Sequence, residues 1–73
     1  MQEVVITREP VELYKILKFE GLCASGAEAK NAVAAGLVQV NGEQELRKRR
    51  QIVGGDVIAF EGETLKILFQ PPQ

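Results

Sequence analysis

Histidine is absent from this 73-residue chain, and cysteine occurs once, at Cys23. No internal disulfide can form, and the usual His/Cys ligand sets for zinc cannot be assembled. No imidazole is available to activate a nucleophile, so Cys23, beside Leu22, reads as a small buried packing residue in a protein of a reducing compartment. Aromatic side chains are scarce: Tyr14, Phe19, Phe60 and Phe69 are all there are, and none falls between Ser25 and Arg50. That scarcity argues against stacking of successive bases of a single strand. No apolar run approaches the roughly 20 residues that span a bilayer, and the N-terminus lacks a basic segment followed by an apolar one. No membrane partner is expected, and the expected location is cytoplasmic.

Excess positive charge is also missing. Nine Lys and Arg face ten Asp and Glu, for a net charge of −1, which excludes a chain that attracts polyanions over its whole surface. The charge is unevenly spread: residues 1–29 carry three cations and five anions, whereas residues 30–60 carry five cations and three anions. The positive excess comes from Arg47, Lys48, Arg49 and Arg50, so any positive field is a local patch. Hydrophobic content of 45% with 26% charged residues is that of a folded domain, and 73 residues allow one domain with a thin core.

Glu3 to Thr7 has the β-branched richness of a strand. Pro10 suits the first turn of a helix, and Leu13, Ile16, Leu17 and Leu22 give an amphipathic spacing that Gly21 ends. Ser25 with Glu28 is a capping box, so a second helix is expected from Gly26, stopping at Gly36. Ala29, Ala32 and Val33 form one face of it. Leu37 is expected to pack under the helix pair. Val38-Gln39-Val40 followed by Asn41-Gly42 predicts a strand entering a type I′ turn. The return from Glu43 is irregular, because four adjacent cations cannot all point to one side of a strand. Ile52-Val53, a turn at Gly54-Gly55-Asp56, the strand Val57 to Phe60, a turn at Glu61-Gly62 and a closing strand Glu63 to Phe69 complete the chain before Pro71-Pro72-Gln73, which cannot extend a ladder. The fold class is α+β: two short antiparallel helices packed against a small, mainly antiparallel sheet.

No catalytic pattern emerges, and no cofactor or metal is expected. Glu43 with Glu45, and Glu61 with Glu63, read as solvated charges beside turns. Gly54-Gly55 lacks the rest of a phosphate loop. The basic run is the one stretch that calls for a partner; the plain alternative is a solvated loop, or one paired with Glu43 and Glu45. Two neighbours favour a partner. The helix start at Ser25-Gly26 offers unpaired N–H groups suited to phosphate, and Lys30 lies one turn further on. Lys18, off the apolar stripe of the first helix, could extend the basic surface.

SGAEAK, GLVQVNG, ELRKRR and GGDVIAF, in that order, resemble the RNA-binding domain named after small-subunit ribosomal protein S4, also called the alpha-L motif, over roughly Leu13 to Leu68. The similarity extends to small stand-alone bacterial members of that family. It implies two antiparallel helices on a small sheet, with RNA along the second helix and the hairpin after it. Carried over by position, the RNA face includes Ser25, Gly26, Lys30, Asn41 and Arg47 to Arg50. Many members have arginine directly after the serine, where this chain has Gly26. The function implied is non-catalytic binding of structured RNA, ribosomal or transfer RNA among the candidates, alone or in a ribonucleoprotein. The alternative is a protein-interaction module whose basic loop meets an acidic partner.

Overall fold

The protein is described over residues 1–72 by a computed structural model. In chain order the elements are β1 (Gln2–Ile6), β2 (Val11–Glu12), α1 (Leu13–Phe19), α2 (Gly26–Ala34), β3 (Val38–Val40), β4 (Glu43–Gln44), β5 (Gln51–Ile52), β6 (Val57–Phe60) and β7 (Glu63–Phe69). Five strands form one sheet in the order β1-β7-β6-β3-β4, and β2 pairs with β5 in a small antiparallel ribbon. Only the β1–β7 pair is parallel, so the sheet is mainly antiparallel, as expected.

Alternation along the strands decides which face of the sheet is covered. Val4 and Ile6 of β1, Val38 and Val40 of β3, Ile58 and Phe60 of β6, and Leu65 and Ile67 of β7 all point inward. They share one core with Leu13, Ile16 and Leu17 of α1, and with Ala29, Ala32 and Val33 of α2. Alanine at two of the three inward positions of α2 lets this helix lie close to its neighbours, and the two helices pack on each other. Cys23, in the link between them, is buried in the same core, and burial raises its thiol pKa above the ordinary value.

Both helices stop where glycine allows a left-handed residue. Gly21 (φ +76°) and Gly36 (φ +79°) each follow a helix end. In each case the glycine N–H and the next N–H turn back to the last helical carbonyls: Gly21 to Lys18 and Leu22 to Leu17, Gly36 to Val33 and Leu37 to Ala32. The Asn41-Gly42 turn has both residues at positive φ and pairs Val40 with Glu43, which is the type I′ hairpin its sequence predicts.

Two local expectations fail. Pro10 does not open a helix: the Glu9-Pro10 peptide is cis, and Val11 and Glu12 continue as a strand paired with Ile52 and Gln51, so α1 begins only at Leu13. Partners distant in sequence decide that boundary. Leu37 does not pack under the helices either; it is 57% exposed, because the turn that follows α2 directs Val38 rather than Leu37 into the core.

Candidate nucleic-acid interface

The helix α1 has no side-chain cap. Its first N–H groups would be unsatisfied, but the basic run supplies their acceptors: Leu13 N–H donates to the Arg50 carbonyl at 2.9 Å and Tyr14 N–H to the Lys48 carbonyl at 3.1 Å. Arg50 N–H donates to the Arg47 carbonyl at 3.0 Å, which closes residues 47–50 into a turn. The four cations therefore form a tight turn docked by its own backbone on the start of α1. Lys48 and Arg49 occupy its two central positions.

Glu45 holds the base of this turn. Its carboxylate accepts from the Arg47 backbone N–H (2.9 Å), Arg47 Nε (3.0 Å), Arg47 Nη2 (3.1 Å) and Arg50 Nη1 (2.7 Å). It is the buried charged residue among those described, 6% exposed, and the hydrogen bonds from Arg47 and then Arg50 hold its pKa down at about 2. The expectation of a solvated glutamate is thus overturned for Glu45, and the alternative of a basic run paired with it holds for Arg47 and Arg50, whose two guanidinium groups offset the cost of removing the carboxylate from water. Glu43, by contrast, is exposed.

Tyr14 joins the turn to α2. Arg49 Cζ lies 5.8 Å from the centroid of its ring and Lys30 Nζ 4.7 Å, so two cations from segments distant in sequence share one aromatic side chain. Gly26 approaches the same ring; a Cβ there would lie 3.8 Å from Cε2, an ordinary contact. Arg49 also pairs with Glu12 at 3.2 Å, and Glu12 with Lys15 at 3.0 Å. That lysine, first, and then Arg49 lower the Glu12 pKa. An open depression of about 630 Å³ lies among Arg47, Arg49, Arg50 and Gln51.

At the start of α2, Ser25 Oγ accepts from Glu28 N–H at 3.1 Å, as the capping box requires. The reciprocal bond is displaced by one residue: the Glu28 carboxylate accepts from Ala24 N–H at 2.9 Å. Gly26 and Ala27 contribute N–H groups to the open end of the helix. Glu28 itself offsets part of the positive helix end, so the potential of this face comes chiefly from Lys30, Lys48 and Arg49.

The structure brings together Gly26, Lys30 and Arg49 around Tyr14, with Ser25 and Lys48 adjoining in sequence. Arg47 and Arg50 lie in the same turn, bound to Glu45, whereas Lys18 and Asn41 are not joined to this group. Lys18 is exposed in the last turn of α1, at the far end from the basic turn. Asn41 is built into its hairpin: Nδ2 donates to Asp56 Oδ1 at 3.0 Å, and Oδ1 accepts from Val57 N–H at 2.9 Å. Its amide thereby fastens the β3–β4 turn to the start of β6.

The pattern of an S4 domain matches residues 4–68. The chain belongs to the S4 domain family. Among relatives of this S4 domain, Escherichia coli YbcJ is 47% identical over 58 residues, covering 80% of this chain and 83% of YbcJ. The solution structure of that protein, described as an alpha-L motif involved in RNA binding, superposes with a TM-score of 0.72 at 42% identity, covering 93% of this chain and 87% of that one. The tyrosine–tRNA ligase of Bordetella pertussis is 36% identical over 63 residues, 86% of this chain but 15% of the ligase. The 30S ribosomal protein S4e of Thermoplasma acidophilum superposes with a TM-score of 0.57 at 27% identity, over 77% of this chain and 29% of that one. Within this S4 domain, the residues that organise the basic face and that sequence alone did not disclose are Tyr14 and Glu12, whereas pairing with Glu45 was the plain alternative the sequence offered. For Tyr14 the available signal was its place on the flank of the Leu13-Ile16-Leu17 stripe; for Glu45, its position two residues before Arg47 and five before Arg50.

Proposed function

We propose that this chain is a non-catalytic RNA-binding protein that takes structured RNA against the face formed by the start of α2 and the basic turn. The observation that carries this reading is the convergence on Tyr14 of Lys30 and Arg49, 19 residues apart in sequence, which makes one cationic surface in a chain of net charge −1. Kinship with YbcJ, whose motif is described as involved in RNA binding, supports the same choice of ligand. A single aromatic, already engaged by two cations, offers no platform for successive bases, so recognition falls to phosphate geometry and helix shape. Arg49 is suited to paired hydrogen bonds with phosphate oxygens, and Lys30 and Lys48 act as mobile point charges.

The test is fluorescence anisotropy with a folded transfer RNA, comparing the native chain, the double variant Lys30→Glu/Lys48→Glu and a control, Lys66→Glu, on the uncovered face of the sheet. Binding should be lost in the double variant and kept in the control. Equal weakening of both would show that net charge alone, and not this face, governs the interaction.

A further inference from the structure

We infer that Glu45 sorts the cations of the basic turn into a fixed inner pair and a presented outer pair, and so makes the face selective for structured over unstructured RNA. This rests on the RNA-binding reading above.

Turn geometry supplies the sorting. Arg47 and Arg50 stand at the first and last positions of the turn and converge on Glu45, whereas Lys48 and Arg49 stand at its apex. The Glu45 side chain is only 7% exposed and accepts from both guanidinium groups. Handing either arginine to a phosphate would leave that carboxylate buried and short of donors, a heavy cost for a charged group. The outer pair faces no such barrier. The Arg47 and Arg49 side chains are alike open to solvent, 74% and 63% exposed; their carboxylates differ, Glu45 being 7% exposed and Glu12 26%, so exchanging the Glu12 pair for a phosphate costs less. Lys48 is exposed and has no ion-pair partner among the described residues.

The carboxylates therefore separate the four cations: Arg47 and Arg50 are retained by Glu45, and Lys48 and Arg49 are free to meet RNA, Arg49 beside Lys30 across Tyr14. A flexible run of four free cations would bind any strand in proportion to its charge. Here the outer cations project from a turn whose backbone is hydrogen-bonded to the start of α1, with the buried Glu45 carboxylate holding its base. Such an array fits phosphates that are themselves held at set positions, as in a duplex, and gives a flexible strand no advantage for folding around it. Glu45 thus lowers raw affinity for RNA while widening the difference between folded and unfolded strands.

The experiment measures binding of an RNA hairpin and of poly(U) over a salt series, with the native chain and Glu45→Gln. The native chain should prefer the hairpin. The variant should bind poly(U) more tightly, steepen its slope of log affinity against log salt by roughly 1–2 as Arg47 and Arg50 are released, and narrow the hairpin-to-poly(U) ratio. A folded variant with unchanged slope and ratio overturns the inference. If Glu45→Gln does not fold, NMR spectra of the arginine Nε–H groups in the native chain decide: on adding hairpin, the Arg49 signal should move and the Arg47 signal, hydrogen-bonded to Glu45, should hold its position. An Arg47 signal moving as far as that of Arg49 overturns the sorting. A native chain that binds neither RNA above a neutral control protein overturns the RNA-binding reading, and this inference with it.

Discussion

Glu45 and Tyr14 show how much single side chains determine in so small a domain. The ionised form of Glu45 is favoured by folding, because its pKa in the native protein is about 2 while an unperturbed glutamate titrates near ~4.3. A depressed carboxylate stabilises the fold above its unfolded pKa, and that contribution disappears as pH falls from about 4.3 towards about 2. Urea midpoints measured across this range should therefore fall more steeply for the native chain than for Glu45→Gln; parallel curves would mean that the carboxylate is not held as described. Tyr14→Leu keeps an apolar side chain beside the core but removes the ring that Lys30 and Arg49 share. Each cation–π contact at an exposed site is worth about 0.5–1 kcal/mol, so transfer-RNA affinity should drop several-fold. The Lys30 methylene protons should also lose their ring-current shift in the NMR spectrum. The role of Tyr14 could not be read from the sequence, and for Glu45 pairing with the basic run was one of two readings the sequence left open. A glutamate beside a hairpin is most often solvated, and only the folded turn shows that this one is enclosed by arginines on both sides.

At the level of elements, the features legible in the sequence were those decided locally. Ser25 with Glu28, the glycine stops at Gly21 and Gly36, and the Asn41-Gly42 turn each depend on a few adjacent residues, and each stands where the sequence put it. Features decided by distant partners were not legible: Pro10 reads as a helix opener until β5 claims Val11 and Glu12, and the cap of α1 comes from carbonyls more than thirty residues away. The local features give direct tests. Ser25→Ala removes the acceptor of Glu28 N–H and should cost about 1 kcal/mol in urea unfolding. Gly54 illustrates a constraint that composition hides. A Cβ there would lie 2.8 Å from Phe69 Cβ and 3.2 Å from its backbone N, and β7 cannot yield as a flexible side chain would. Gly54→Ala should thus destabilise the domain by about 1–3 kcal/mol, while Gly55→Ser, with no atom within 4 Å but a φ of +95°, should cost through backbone strain alone. Thermal unfolding of the two variants distinguishes crowding from strain, since replacing Phe69 by glycine, which removes the Cβ met at 2.8 Å, should relieve only the first.

Across the whole molecule, an acidic total and a basic face coexist because the acidic residues are not all rivals of the basic ones. Glu12 and Glu45 anchor Arg49, Arg47 and Arg50, and so spend their charge on building the face. The fold class and the general position of the site were legible from the order of the segments, but the composition of the site was not, since Tyr14 enters it from α1 and Asn41 is committed to its own hairpin. Gly26 leaves room on this surface: a Cβ there meets only the Tyr14 ring at ordinary distance. Gly26→Arg should consequently raise transfer-RNA affinity and steepen its salt dependence by roughly 0.7–0.9, one added phosphate contact. The central claim, that RNA docks on the Tyr14-centred face, is tested most directly by backbone amide shifts recorded while an RNA hairpin is added to the labelled protein. Gly26, Ala27, Lys30, Lys48 and Arg49 should move together, with Gln39, Ala59 and Lys66 on the uncovered side of the sheet remaining still. Shifts concentrated on that sheet face, or along β1 and the exposed Phe19, would place the RNA elsewhere and refute the assignment.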